Sequence, residues 1–343
     1  MKVLHVLSSN KLSGAENVVA DICMMFNDEY DMAYCSPDGR IRQALDDRDV
    51  KFIPIDKLKP SELKRVINYY KPNIIHAHDV RATLISTLVT DRIPVISHLH
   101  GNIEDMRKFG LKSFLYMLST KKVKKVISVS ESILVDYVFK KHIESKTVCL
   151  RNIIYTPRIE KLMHMDNNNY SFDFAYIGRF TYPKNPQRVA KVASEILKKC
   201  SSAKFGIIGD GELRKEMGKI FKEEGVADRV AFTGMLPYPY KALNQAKCML
   251  MCSRFEGTPI AALESMSLGV PIVSTPVDGM LNIVSNGSTG YLHSEDENLV
   301  DSVIKLITDE RLQSEMACAS FKRFDELNDT NNYKEQLRSI YNE

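Results

Sequence analysis

Short apolar runs alternate with longer amphipathic segments along most of the chain. The runs at 2–8, 31–36, 51–55, 73–77, 94–99 and 126–129 predict strands, and 18–26, 61–70 and 81–89 carry the 3.6-residue period of helices. A polar stretch at 151–170, with Pro157 and the run Asp166-Asn167-Asn168-Asn169, reads as a linker. The alternation then restarts, with strands at 172–177, 204–208, 229–233, 248–252 and 270–274 and a small turn and strand at 287–292. Helical segments follow at 299–308 and 312–327, and 333–341 reads as a terminal helix. Strands that alternate with helices imply parallel sheets covered on both faces, whose ligands sit at the carboxyl ends of the strands. The expected organisation is a domain at 1–155, a second at 156–327, and a terminal segment at 328–343.

One stretch organises the candidate chemistry: FEGTPIAALESMSL, residues 255–268. It reads as the end of a buried strand, a tight loop and a helix start. Gly257 permits close ligand approach, Thr258 suits an N-cap, and Pro259 suits the first helical position, where its missing N–H costs nothing. Gly269 should end the helix. Glu256 and Glu264 flank the free N–H groups of the first helical turn, which favour an anion such as phosphate. A carboxylate, a phosphate site and a second carboxylate match the order sugar, diphosphate, ribose.

Composition narrows the class. The chain has 343 residues, 44% hydrophobic and 26% charged, so it is globular and long enough for two domains. A net charge of +4, without an aromatic-interleaved basic stripe, gives no argument for nucleic acid. The seven cysteines are scattered without a CxxC pair, which suggests reduced thiols in a cytosolic protein. The start MKVLHVLSSN turns polar too early for a secretion signal, and no apolar run approaches a membrane span.

Other groups have candidate roles. Ser13-Gly14-Ala15-Glu16 follows the first strand and opens toward a helix, a place for phosphate approach or a plain turn. Arg179 and Lys184 lie in the loop after the strand at 172–177, beside a helix beginning near Pro186, and suit a diphosphate. Two histidine pairs, His76/His78 and His98/His100, stand at strand ends. Alternation puts His98 and His100 on one side of a strand. His100, next to Gly101, reads as a hydrogen-bond partner to substrate and the other three as structural, with no metal assigned. Asp47-Arg48-Asp49 precedes a strand and reads as solvated turn charge. The stretch 107–125 holds Arg107, Lys108, Lys112, Lys121, Lys122, Lys124 and Lys125, no acid, and interleaved apolar residues. It is compatible with an anionic membrane surface or with a packed helix.

Taken together, SGAE, GRFTYPKNP, IGDGELR and the E-x7-E of EGTPIAALE resemble the retaining, nucleotide-sugar-dependent glycosyltransferases of family 4. The resemblance implies the α/β GT-B fold, two Rossmann-like domains facing across a cleft, with a C-terminal helix crossing back to the first. It implies a donor, usually a UDP-sugar, held by the second domain and a glycan or lipid-linked acceptor held by the first. By motif, Glu256 would contact the donor sugar, and Gly257, Thr258, Pro259 and Ile260 would line sugar and phosphate. Glu264 would bind the ribose, Arg179 and Lys184 the diphosphate, and Gly14 would let a loop approach it. His100 would meet the sugar, with Met235 and Leu236 near the base. The family's paired glycines are replaced here by Ser13-Gly14 and Asp278-Gly279.

The implied chemistry is departure of a nucleoside diphosphate with retention, without a cofactor or metal, at the inner face of the cell membrane or in the cytoplasm. Alternatives are a non-catalytic nucleotide-sugar-binding module and an epimerase or phosphorylase of similar architecture. A nicotinamide dehydrogenase fits less well, because no full GxGxxG is present.

Overall fold

The computed structural model describes residues 1–101, 104–257 and 259–343. The chain divides into two units, Met1–Tyr155 with Thr330–Glu343, and Thr156–Asp329.

The first unit is built on seven strands: β1 Lys2–Val6, β2 Asp31–Pro37, β3 Phe52–Ile55, β4 Ile74–Ala77, β5 Val95–Leu99, β6 Val123–Ser128 and β7 Thr147–Cys149. They pair in parallel in the order β3-β2-β1-β4-β5-β6-β7. The central strands β4 and β5 are buried at every position, as expected where both faces of a parallel sheet are covered. The second unit has six parallel strands: β8 Phe174–Ile177, β9 Phe205–Ile208, β10 Val230–Gly234, β11 Cys248–Met251, β12 Ile272–Ser274 and β13 Gly290–Leu292. Their order is β10-β9-β8-β11-β12-β13. Each unit has its own core, one around Leu4, Ile75 and Val126, the other around Phe174, Phe205 and Leu250.

The last helix, Thr330–Asn342, belongs to the first unit. It buries Tyr333, Leu337, Ile340 and Tyr341, and Leu337 and Ile340 alone contribute about 1.5–3 kcal/mol each. The Tyr341 hydroxyl hydrogen-bonds His76 Nδ1 at 2.9 Å. Lys334 and Arg338 converge on Glu29 at 2.8 and 2.7 Å.

Several sequence expectations change. The segment read as a linker contains the helix Thr156–His164. Pro157 stands in its first turn, where proline is tolerated, and Arg158, Ile159 and Leu162 are buried. Strand β7 was not anticipated: it is three residues long and mostly half-buried, too short to show a period. Arg48 is not solvated turn charge. It is 2% exposed, donating to Ala44 O at 2.6 Å and Asn17 Oδ1 at 3.1 Å. The basic stretch 107–125 is not one amphipathic element. It runs from Arg107 at the end of one helix through Leu111–Thr120 into β6. Lys124 and Lys125 are strand residues, and Lys125 pairs with Glu343 at 2.8 Å.

Candidate active site

In a parallel sheet a crevice opens where the strand order reverses, because the connections leave to opposite faces. In the second unit this point lies between β8 and β11. The loop after β8 carries Arg179 and Lys184, and the loop after β11 carries Glu256 and Gly257. The two loops are tied together across that point. Lys184 Nζ lies 2.6 Å from Oε1 and 2.6 Å from Oε2 of Glu256, and Ser253 Oγ donates to Glu256 Oε1 at 2.7 Å. The Glu256 side chain is 6% exposed and that of Lys184 21%. Arg179 is exposed, and its guanidinium has no hydrogen-bond or ion-pair partner among the described residues. A reserved carboxylate, a paired ammonium and an unengaged guanidinium thus share one strand-end region.

The backbone of these loops is packed tightly. Phe180 N donates to Asp210 O at 3.0 Å, and Leu213 N to Phe180 O at 3.1 Å. Gly209 has φ +138°, and a Cβ there would lie 2.0 Å from Gly178 O. Gly279 supports the other loop: its N–H donates to Glu256 O at 3.1 Å, and an added Cβ would meet Gly257 O at 2.1 Å. Only glycine fits, so the family-like pair written here as Asp278-Gly279 keeps the glycine the backbone needs.

The helix after Glu256 is Ile260–Ser267. Pro259, with φ −73° and ψ 105°, occupies the N-cap rather than the first helical position, and no side chain caps the helix. The helix therefore begins one residue later than expected, at Ile260, and Thr258 lies outside the described residues. Its N-terminal N–H groups still point toward the strand-end side.

Glu264 is 4% exposed, and its carboxylate is held within the unit. Arg158 Nη2 is 3.2 Å from Glu264 Oε1, and the Tyr240 hydroxyl donates to the same oxygen at 3.2 Å. Arg158 also bonds Tyr240 Oη and stacks its guanidinium 5.3 Å from the ring centroid. Sequence reasoning missed Arg158 and Tyr240. They come from the supposed linker and from the helix Tyr240–Asn244. Met235, 53% exposed, and the half-buried Leu236 follow the edge strand β10, two strands away from β8.

In the first unit the reversal lies between β1 and β4. Gly14 opens the helix Gly14–Met25 that follows β1. Asp79, just after β4, accepts from Ser8 N at 3.0 Å and Ser8 Oγ at 2.6 Å, and caps the next helix through Ala82 N at 2.6 Å. Five histidines gather beside this point. His5 of β1 is in register with His76 of β4. His5 Nδ1 is 2.8 Å from His78 Nε2, and His78 Nδ1 is 2.9 Å from His100 Nε2. The His98 and His100 rings stack at 4.0 Å. Burial lowers His5 and His100 to about 3 and holds His76, His78 and His98 well below the usual imidazole value. All five are neutral at physiological pH. Two trios, His5/His76/His78 and His78/His98/His100, have ring nitrogens within 4.8 Å of one another. The HAH and HLH pairs were legible; their convergence with His5 depends on strand order.

Two family descriptions match the chain: Glycosyltransferase Family 4 over residues 12–156 and Glycosyl transferases group 1 over residues 164–323. The chain is 25% identical over 238 residues to an uncharacterized glycosyltransferase of Methanocaldococcus jannaschii, covering 62% of this chain and 58% of that protein. It is 23% identical to the UDP-Gal:alpha-D-GlcNAc-diphosphoundecaprenol alpha-1,3-galactosyltransferase of Escherichia coli, covering 92% and 90%. The fold is similar to that of Anabaena HepE, solved with UDP and glucose, at a TM-score of 0.82 and 17% identity, covering 99% and 98%.

Proposed function

Because the chain belongs to the family 4 glycosyltransferases of the GT-B fold, we propose that it transfers a sugar, with retention, from a UDP-sugar to a glycan or lipid-linked acceptor in polysaccharide biosynthesis. The observation that carries the reading is the Lys184–Glu256 pair across the reversal of the second sheet, with Arg179 alongside.

When the anomeric C–O bond breaks, negative charge grows on the leaving diphosphate and the sugar gains oxocarbenium character. Arg179 and Lys184 stabilise the phosphate oxygens, and the helix opening at Ile260 adds N–H donors. A preorganised donor of this kind is worth about 3–4 kcal/mol in the transition state. These cations supply the neutralisation that a divalent ion at the diphosphate gives in other transferases. Lys184 orients the Glu256 carboxylate through both oxygens, and Ser253 fixes it. On donor binding the lysine turns to phosphate, and Glu256 accepts from the sugar hydroxyls. Glu264, held by Arg158 and Tyr240, presents its carboxylate to the ribose. Ile260 and the backbone of Gly257–Pro259 line sugar and phosphate, and Met235 and Leu236 border the base. The family resemblance also assigns His100 and Gly14 of the first unit to substrate. The leaving phosphate takes the acceptor hydroxyl proton, so one face of the sugar is used and its configuration is kept. The UDP bound by the Anabaena protein and the lipid diphosphate named for the Escherichia coli relative support the donor and acceptor classes.

An anionic membrane surface fits such an acceptor. Phe109 is 80% and Leu111 76% exposed, and Phe114, Leu115 and Leu118 are also exposed, among Lys108, Lys112 and Lys121. No helix among the described residues is long and apolar enough to cross a membrane.

The deciding experiment is a thermal-shift screen of nucleoside diphosphates and their sugars on the full chain. A ligand at 100 times its Kd stabilises by about 2.7 kcal/mol, so a UDP-sugar should raise Tm by several degrees. Absence of any shift with every nucleotide sugar, at concentrations well above family-typical affinities, would overturn the reading.

A further inference from the structure

Apart from His100, the histidines clustered in the first unit have no part in the sugar transfer proposed above. Buried ring nitrogens normally have partners, yet His98, 0% exposed, has none among the described residues at either Nδ1 or Nε2. His100 Nδ1 and His76 Nε2 are also buried and have no partner among the described residues. Neutral imidazoles brought together with unused lone pairs are what a borderline divalent cation requires. No carboxylate belongs to either trio, so hard oxygen-seeking ions are poorly served.

We infer that His78, His98 and His100 form a binding site for a divalent transition cation of the zinc class. This trio is chosen over His5/His76/His78 because His100 is half-buried and leaves an entry path, whereas the other three rings are sealed. His98 lies in β5 and His100 directly follows its last residue, and His78 follows the neighbouring parallel strand β4. Three imidazoles with an open fourth position are an established zinc coordination set.

The hydrogen bonds assign the atoms. His78 faces His100 through Nδ1, and its Nε2 lies 2.8 Å from His5 Nδ1. His78 therefore ligates through Nδ1 while its Nε2–H donates to His5, the outer contact that metal-bound imidazoles usually make. His100 ligates through Nε2 with its proton on Nδ1, and His98 offers either nitrogen. The 2.9 Å between His78 Nδ1 and His100 Nε2 must open to about 3.3–3.4 Å, the edge of a tetrahedron with Zn–N near 2.0–2.1 Å. The site lies at the carboxyl ends of its strands, beside the reversal between β1 and β4. It shares His100 with the substrate contact proposed above, but its test reads metal binding, which holds or fails whatever the outcome for sugar transfer.

The test uses the full chain, reduced, stripped with chelator and then titrated with zinc by calorimetry and with cobalt by visible absorption. The expected result is one equivalent of zinc per chain, a raised Tm, and cobalt d–d bands of a tetrahedral nitrogen site without thiolate charge transfer. His98→Gln should weaken zinc at least about 100-fold, since outer contacts alone change affinity 10–100-fold. His5→Asn should weaken it by that smaller factor, and the surface variant His142→Gln should leave it unchanged. If His98→Gln does not fold, His100→Ala, at the half-buried position, replaces it. Failure of the folded wild-type chain to bind an equivalent, binding unchanged in His98→Gln or His100→Ala, or a thiolate cobalt spectrum overturns the site.

Discussion

Lys184 grips both oxygens of Glu256 at 2.6 Å, although the two residues are 72 positions apart and belong to loops after different strands. The pair joins the cation expected at a diphosphate to the acid expected at a sugar. It also makes the two cations of the site unequal, because Arg179 has no such partner among the described residues.

That inequality separates two variants. Arg179→Ala should lower kcat on the order of 100-fold, the effect of a lost transition-state donor, with Tm within about a degree of wild type. Lys184→Ala should lower turnover similarly and also lower Tm, since it leaves the nearly buried Glu256 carboxylate without its charge partner. Steady-state kinetics with melting curves on both variants would check this. Equal Tm losses in the two would refute the asymmetry.

Glu264 depends on Arg158 in the same way, more deeply buried. Arg158→Met should cost about 3–5 kcal/mol, because it strands a buried carboxylate. Adding Glu264→Gln should recover part of the stability but none of the donor affinity. Denaturant unfolding and nucleotide titration of the single and double variants give the two readouts.

Gly279→Ala should disturb the site without touching a charge. The new methyl would lie 2.1 Å from Gly257 O, so the Glu256 loop must shift. Overpacking of this kind costs about 1–3 kcal/mol, and donor affinity should fall with it. A variant that binds nucleotide sugar normally by calorimetry would show that the loop has room to give.

Acid should loosen the terminal helix first. Hydrogen bonds from Arg338 and then Lys334 hold Glu29 down from 4.5 to about 2. A carboxylate lowered in the folded state adds stability above its ordinary value and loses it as pH falls from about 4.5 through about 2. The contribution is small because Glu29 is largely solvated. Protection of residues 330–342 against hydrogen exchange, taken relative to the intrinsic rate at each pH, should fall across that window in the wild type, and in Glu29→Gln it should be lower at neutral pH and flat across it.

Membrane association should follow the exposed apolar residues and charge together. Vesicles containing anionic phosphatidylglycerol should co-sediment the protein, and added salt should release it. Phe109→Ser with Leu111→Ser should reduce binding several-fold and leave Tm unchanged, since both side chains are more than three-quarters exposed. Equal binding to neutral vesicles would remove the electrostatic part.

Most strands and helices were legible because apolar runs and helical periods persist through both units. Gly14, Arg179, Lys184, Glu256 and Glu264 could be picked out because their loops have motif-like spacing. Pairing between them could not: Lys184 with Glu256, Arg158 with Glu264, and His5 with His78 all join positions whose proximity depends on strand order. Pro157 suggested a break, whereas its place in a first helical turn makes it a start. Arg48 looked like turn charge because a short sequence cannot show that Asn17, 31 residues earlier, supplies an acceptor.

The return of residues 330–342 to the first unit has a consequence for biosynthesis. The amino-terminal half of the chain emerges first from the ribosome, yet its His76 has no Tyr341 and its Glu29 no Arg338 until residues 330–342 have been made. The first unit is therefore completed only after the second has been made, and a nascent chain lacking residues 330–342 should expose a sticky apolar face to chaperones.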